Sequence, residues 1–129
     1  MTLSEYFEQA KGVGVLATAD ANGKVNVAIF ARPHFMDAND DSTCAFIMGD
    51  RASHDNVRQN PSAAYLFIEV GEEYVGKRLS LTMLREETDP EKIKAIRRHG
   101  IPRISEEEGK TKYFVHFRVD GVRPLIGNE

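Results

Sequence analysis

The feature that most limits how this chain can fold is a series of short apolar segments separated by turn-forming residues. Each segment is rich in β-branched or aromatic residues and is bounded by Gly, Pro, Asn or Asp, as β-strands joined by turns are. The predicted strands span residues 13–19, 25–30, 43–48, 62–70, 77–87 and 112–119, and a short last segment spans 122–126. Strands and helices do not alternate regularly, which argues against a doubly wound parallel sheet. Closing six antiparallel strands into a small barrel removes exposed sheet edges, so we predict a mainly β fold, a β-barrel with a few short helices.

Three short helices are expected at the ends of these strands. The first begins at Thr2, which stands three residues before Glu5 in the spacing of a capping box. The second follows the third strand and ends at Asn60, because the residue before a proline resists the α region. The third has Asp89 as its cap and Pro90 at its first helical position.

Two glycine-containing turns and one strand glycine carry further predictions. Asn22-Gly23 supplies the positive φ angles of a tight hairpin between the first two strands. Asp120-Gly121 is predicted to turn the chain after the sixth strand. Gly14, inside the first strand, would let another backbone or a flat ligand come close.

The second strand, expected to continue to Pro33, has two unlike faces, because alternate residues of a strand point to opposite sides. One face carries three aliphatic residues, Val25, Val27 and Ile29. The other carries a polar amide, a small residue and an aromatic ring, namely Asn26, Ala28 and Phe30. This second face suits a planar ligand lying along the strand, and it also suits a contact between subunits.

Composition places the chain among soluble globular proteins. Its 129 residues, 41% hydrophobic and 29% charged, are enough for one domain, predicted to span residues 1–129. No apolar run approaches the length of a membrane span, and no signal peptide is recognised at the start. Cys44 is the only cysteine, so we expect a reducing, cytoplasmic setting. The net charge of −3, without a dominant basic face, argues against nucleic acid as the partner.

The stretch after the third strand has the composition of an anion site. The strand breaks at Gly49 and is followed by Asp50, Arg51, Ser53 and His54 at the start of a helix. The first N–H groups of a helix have no intrahelical partner, and the helix dipole favours negative charge there. An arginine fork, a hydroxyl and a ring N–H would add donors, so we interpret this turn as a phosphate site.

The same residues also have an ordinary structural interpretation. Asp50 or Ser53 could serve as the helix N-cap, and Arg51 could be a surface charge. Cys44 lies in an apolar segment and is interpreted as a small core residue. His34 and His116 are candidates for acid–base chemistry only by residue type. The histidines and the cysteine lack metal-ligand spacing, so no metal site is expected.

The order of elements and three motifs resemble the pyridoxamine 5′-phosphate oxidase-like FMN-binding split-barrel superfamily. The motifs are the hairpin at 14–28, the passage N-V-R-Q-N-P-S-A-A-Y-L-F at 56–67, and G-K-R-L-S-L at 76–81 followed by a helix capped by D-P-E. The resemblance covers roughly residues 5–120 and implies a six-stranded antiparallel split β-barrel. It also implies a homodimer with FMN in the interface cleft, acting as an oxidoreductase of reductase or oxidase type.

The resemblance implies a cofactor site made of four groups of residues. The strand along the isoalloxazine would be Val27, Ala28, Ile29 and Phe30. The residues that follow the ribityl chain would be Met48, Gly49 and Asp50. The phosphate ligands would be Arg51, Ser53 and His54; the family usually has Lys or Arg near position 53, so the charge would come from Arg51. The contribution of the second subunit would come from Lys77 and Arg78.

The resemblance leaves the reaction open. The longer oxidases of the family hold pyridoxal with a C-terminal tryptophan and paired R-x-H-type residues, and this chain has no Trp. Pyridoxine phosphate is therefore not expected as the substrate, and no catalytic residue is assigned. A non-catalytic flavin or haem carrier or sensor is the alternative, with haem needing His116 or His99 as axial ligand. An oligonucleotide-binding barrel is a third hypothesis, for which Phe114, His116 and Arg118 would form the sheet face.

Overall fold

The computed structural model describes residues 1–91, 93 and 112–127. Its named elements are α1 (Leu3–Gln9), β1 (Gly12–Ala19), β2 (Val25–Ile29), β3 (Thr43–Gly49), α2 (Ala52–Gln59), β4 (Ser62–Glu69), β5 (Gly76–Glu87) and β6 (Lys112–Pro124). Within the described part of the chain, no helix is long and apolar enough to cross a membrane.

The six strands form one curled antiparallel sheet in the order β2-β1-β4-β5-β6-β3. The strands β2 and β3 are its two edges, and the sheet curls into the half-barrel of a split barrel. The predicted mainly β, six-stranded antiparallel fold is therefore confirmed.

The core lies on the inner side of the curled sheet and is dominated by aromatic rings. The ring centroids of Phe7 and Phe67 are 5.5 Å apart, and those of Phe46 and Tyr65 are 5.0 Å apart, in edge-on or tilted contact. Phe7 belongs to α1, so this helix covers the core. Thr2 is the N-cap of α1, because the Glu5 amide donates to the Thr2 hydroxyl at 3.1 Å.

The second strand ends earlier than predicted. The strand β2 ends at Ile29, with one further ladder bond at Phe30, and does not reach Pro33, because the carbonyls that follow accept from a side chain. The Phe30 amide donates to the Gly14 carbonyl at 3.0 Å, and the Tyr65 hydroxyl donates to the carbonyls of Phe30 and Ala31. The chain then leaves the sheet edge.

The turn predicted at Asp120-Gly121 is wrong, because β6 runs through it without interruption. The pairing register between β5 and β6 shifts between Ser80 and Leu81, which leaves Asp120 as an extra residue in the β6 strand. Its carboxylate accepts a hydrogen bond from the Thr82 hydroxyl at 2.5 Å. Asp-Gly therefore marks a β-bulge here.

The third predicted helix is described only at its start. The Glu91 amide donates to the Asp89 side chain at 3.0 Å, and Pro90 is helical, as the cap and first-turn proline predict. The rest of this helix, which includes His99, lies outside the described residues.

The outer face of the β2-β1-β4 part of the sheet is apolar and exposed. Val25, Val27 and Ile29 of β2 are each at least 66% exposed. Val15 of β1 pairs with Ile29 on one side and with Leu66 of β4 on the other, which continues the face across three strands. Monomeric soluble proteins seldom expose a continuous apolar face of this kind.

Gly14 provides a test of the packing. A Cβ on this residue would stand 1.8 Å from the Tyr65 hydroxyl oxygen and 2.8 Å from the Phe30 carbonyl oxygen, so the expected close approach at Gly14 includes a neighbouring backbone. We predict that Gly14→Ala lowers the free energy of unfolding by about 1–3 kcal/mol through overpacking, measured by urea denaturation.

The matched control is Gly121→Ala, because a Cβ on this strand glycine meets nothing within 4 Å. Its unfolding free energy should stay within roughly 0.5 kcal/mol of the wild type. Equal losses of unfolding free energy in Gly14→Ala and Gly121→Ala would contradict the packing described around Tyr65.

Candidate functional site

The helix α2 begins without a side-chain cap. Its N-cap is Arg51, which has an extended backbone and makes no side-chain capping bond. A guanidinium has only donors, so it cannot accept from the first-turn amides as an Asp or Ser cap would. The first backbone bond into the helix is from the Asp55 amide to the Arg51 carbonyl at 3.0 Å. Neither Asp50 nor Ser53 is the N-cap, and the helix start presents donors together with a positive side chain.

A second cation lies beside Arg51. The Nε atom of Arg51 and the Nζ atom of Lys112 are each 3.8 Å from the position that a Cβ on Gly49 would take. Lys112 is placed there by the pairing of β3 with β6, in which it lies opposite Gly49. Lys112 was not among the site residues predicted from the sequence; its position at the start of the sixth strand was the available signal.

Polar contacts hold α2 against the β1-β2 hairpin. The Asn56 side-chain amide donates to the Thr18 hydroxyl at 3.1 Å, and that of Asn26 donates to the Ser53 hydroxyl at 3.4 Å. Ser53 is buried, so its hydroxyl connects the helix start to β2. The inward face of β2 is thereby joined to the turn that carries Arg51.

His54 lies beneath the turn, with none of its surface exposed. Its ring stacks on that of Tyr113, with centroids 3.7 Å apart and planes 16° apart. Its Nε2 atom is 2.5 Å from a carboxylate oxygen of Glu86, whose other oxygen accepts from Arg58 at 3.0 Å. The Nε2 nitrogen of His54 is therefore directed to Glu86. The predicted contact of His54 with a phosphate stays a prediction.

The carboxylate of Glu86 is held ionised by these neighbours. Partial burial raises its pKa, but the hydrogen bonds from His54 and Arg58 together outweigh burial and hold the pKa below its ordinary value. The same hydrogen bond raises the pKa of the exposed Arg58 guanidinium. Glu86 and Arg58 therefore both remain charged around neutral pH.

The edge strand β2 presents backbone groups to one side. The bond from the Phe30 amide to Gly14 places Phe30 and Ala28 in the hydrogen-bonded positions of the antiparallel ladder with β1. The N–H and C=O groups of Val27 and Ile29 consequently point away from β1. In the sheet that the structure describes, no strand lies on that side of β2.

The remaining predicted cofactor residues are spread over the fold. Met48 is buried in the core, Gly49 is half-buried, and Asp50 is exposed. Lys77 and Arg78 lie at the opposite end of β5 from Glu86, the residue that contacts α2. Lys77 is nine residues from Glu86, which is about 30 Å of extended chain. Within one protomer, the structure does not bring Lys77 and Arg78 to the start of α2.

Arg78 and Lys77 have structural contacts of their own. The Arg78 guanidinium donates to the Pro124 carbonyl at 2.9 Å and to the Gly127 carbonyl. The Lys77 ammonium lies 4.6 Å from the ring centroid of Tyr6.

The other candidate side chains lie in separate places. His116 is buried with its Nε2 atom 3.3 Å from a Glu87 carboxylate oxygen, and His34 bridges to the backbone of Ala45. Cys44 is buried in the core, and burial raises the pKa of its thiol to about 12, so it has no thiolate character at neutral pH.

Comparison with known proteins shows the fold. The chain superposes on an FMN-binding protein from Syntrophomonas wolfei subsp. wolfei with a TM-score of 0.74 and 14% identity, covering 99% of this chain and 86% of that one. It superposes on an F420 reductase with a TM-score of 0.69 and 18% identity, over 92% of this chain and 94% of that one. It also superposes on a Clostridium acetobutylicum protein related to general stress protein 26, of the pyridoxinephosphate oxidase family. The TM-score is 0.64 and the identity 12%, over 95% of this chain and 87% of that one.

No protein-family model matches the sequence, and no curated protein matches it either. The structural neighbours confirm the resemblance to the pyridoxamine 5′-phosphate oxidase-like split barrels at the level of the fold.

The interaction between Glu86 and His54 predicts how stability depends on pH. Because the pKa of Glu86 is lower in the fold than its ordinary value of 4.5, its ionised form stabilises the fold at neutral pH. That contribution is lost as the pH falls from about 4.5 through the folded pKa. Glu86→Gln should lower the unfolding free energy at pH 7 by roughly 1.5–3 kcal/mol and should flatten its decline in acid, as measured by urea denaturation between pH 7 and 3.

Glu72→Gln is the control, because Glu72 lies exposed in the turn between β4 and β5. An acid profile of Glu86→Gln as steep as that of the wild type would show that Glu86 does not carry this dependence.

Proposed function

We propose that this chain, built on the split-barrel fold of the pyridoxamine 5′-phosphate oxidase-like proteins, is a flavoprotein that binds FMN and functions as an oxidoreductase. One observation carries the proposal: two cationic side chains converge at the start of α2, which lacks a side-chain cap, next to the edge of β2 that has no neighbouring strand in the described sheet. Structural neighbours that include an FMN-binding protein support it.

The phosphate of FMN is proposed to bind at the start of α2. A phosphate monoester carries about −1.5 to −2 charges at neutral pH, which Arg51 and Lys112 would balance. The first-turn amides of α2 supply further donors, and the positive end of the helix dipole favours the anion. In this arrangement Ser53 and Asn26 fix the helix relative to β2.

The isoalloxazine ring is proposed to lie along β2. Its polar edge alternates N–H and carbonyl groups, and the backbone groups of Val27 and Ile29 that face away from β1 can pair with such an edge. The flavin itself supplies the hydride or electron chemistry when bound. This chain supplies position and charge, and an exposed apolar surface that would exclude water once covered.

We also propose that the protein is a homodimer. The exposed apolar face of β2, β1 and β4 is the surface that a second copy would bury, and a two-fold axis makes such a face self-complementary. Lys77 and Arg78, which are remote from the site of their own chain, are proposed to reach the flavin of the partner.

The phosphate site is tested by flavin titration of Arg51→Ala and Lys112→Ala. Each variant should bind FMN roughly ten- to a hundredfold more weakly through loss of a charge-assisted contact, measured by isothermal calorimetry. Riboflavin, which has no phosphate, should bind the wild type and both variants equally. The matched control is Arg85→Ala, which removes an exposed arginine on β5 and should leave FMN affinity unchanged.

If the two variants lost affinity for FMN and for riboflavin to the same extent, Arg51 and Lys112 would lie outside the phosphate site. A separate experiment on the wild type with bound FMN distinguishes an enzyme from a flavin carrier: an enzyme should turn over with a reduced nicotinamide, and a carrier should not.

The dimer is tested by placing a charge on the outer face. Val25→Asp should shift sedimentation velocity profiles from dimer to monomer without unfolding the chain, because this side chain is already 75% exposed. Val70→Asp is the control, since Val70 is 77% exposed but lies in the turn after β4. Unchanged dimerisation of Val25→Asp would contradict the proposed interface.

A further inference from the structure

We propose that Asp50, His54 and Asp55 form a binding site for a divalent transition-metal cation at the start of α2. The flavin function proposed above neither requires nor supplies this site. The inference rests on an unsatisfied buried nitrogen, on the residues around it and on the spacing of three ligand atoms.

The unsatisfied nitrogen is Nδ1 of His54. The ring has no exposed surface, and Nδ1 makes no hydrogen bond to any residue that the structure describes. A buried polar atom without a partner costs free energy, so native structures seldom leave one. A carboxylate oxygen of Asp50 lies 3.8 Å from Nδ1, which is beyond hydrogen-bond distance.

The opposite side of the ring fixes which nitrogen is available. Nε2 lies 2.5 Å from Glu86 and donates to this ionised carboxylate, so in the neutral ring Nδ1 carries the lone pair. The stack on Tyr113 holds the plane of the ring. A histidine that donates one N–H to a carboxylate and offers the other nitrogen is the usual arrangement of a metal-ligating histidine.

The two aspartates complete the set of ligands. Asp50, His54 and Asp55 each place one ligand atom within 4.8 Å of the other two. Two ligands on one tetrahedral zinc ion are separated by about 3.4 Å, given bonds of about 2.1 Å. Both aspartates are exposed, so rotation of their side chains can close the remaining distance and a cation can enter from solvent.

The donor types define the class of cation. An imidazole nitrogen suits zinc, nickel, copper and iron, and carboxylate oxygens are compatible with the same ions. Two carboxylates supply two negative charges, which oppose the positive helix end. The spacing of the histidines and the cysteine predicted no metal site, whereas this site takes two of its three ligands from aspartates.

The alternative is a protonated His54 that forms an ion pair with Glu86 on one side and Asp50 on the other. Asp55 has no part in that ion pair. Removal of the Asp55 carboxylate therefore distinguishes a metal site from a histidine ion pair.

The test uses the full chain, treated with a chelator and dialysed, without added flavin. Zinc chloride titrated by calorimetry should bind at one equivalent per chain, and Co²⁺ should give the intense visible absorption of a low-coordinate complex. Asp50→Asn and Asp55→Asn should each weaken Zn²⁺ binding by about tenfold or more, since even supporting residues contribute that much. Glu72→Gln, which removes one exposed carboxylate in the β4-β5 turn, should leave the affinity unchanged.

The support of the ring gives a second measurement. Glu86→Gln keeps the shape of the side chain and should weaken Zn²⁺ by roughly 10–100-fold. Absence of Zn²⁺ binding by the wild type, or equal affinity in the wild type, Asp50→Asn and Asp55→Asn, would overturn the proposal. Because no flavin is present, either result is independent of FMN binding.

Discussion

The hydrogen bond between the buried ring of His54 and the carboxylate of Glu86 holds α2 against β5, and the position of the candidate site depends on it. The same carboxylate accepts from Arg58, and the same ring stacks on Tyr113, so α2, β5 and β6 meet at one place. A buried polar group that loses its partner costs about 1–3 kcal/mol, a large fraction of the stability of a small domain. With the helix fixed in this way, its N-cap Arg51 is held at the end of β3.

The start of α2 carries charges of both signs in separate groups. Arg51 and Lys112 lie around Gly49, whereas Asp50 and Asp55 lie close to the unsatisfied ring nitrogen beneath the turn. A helix N-terminus by itself favours an anion, and the two cations increase that preference. The two aspartates oppose it locally, which is why we assign a phosphate to the cationic group and a metal ion to the acidic one.

Much of the fold follows from local sequence signals. The strands, the Thr2 helix cap and the Asp89-Pro90 helix start depend on neighbouring residues, and all are present. Asp120-Gly121 was misinterpreted because a bulge and a turn share the same residues, and only the pairing of two strands decides between them.

The candidate site was predictable only where it is local. The turn between β3 and α2 was found because its residues are consecutive, but Lys112 enters through strand pairing with a residue 63 positions earlier. The contact of His54 with Glu86 has the same long-range character, because the partners are 32 positions apart in the sequence. The proposed metal site was missed for a different reason, because only the spacing of histidines and cysteines was considered and two of its three ligands are aspartates.

The measurement that tests the central claim most directly is the absorption spectrum of the purified protein, with the supernatant after denaturation recorded beside it. We predict yellow flavin bands that are released on denaturation as free FMN. A Soret band would identify the cofactor as haem, and release of a different chromophore would show that the cofactor is not FMN. A colourless protein that also fails to take up added FMN would leave the fold as described and contradict the flavin function.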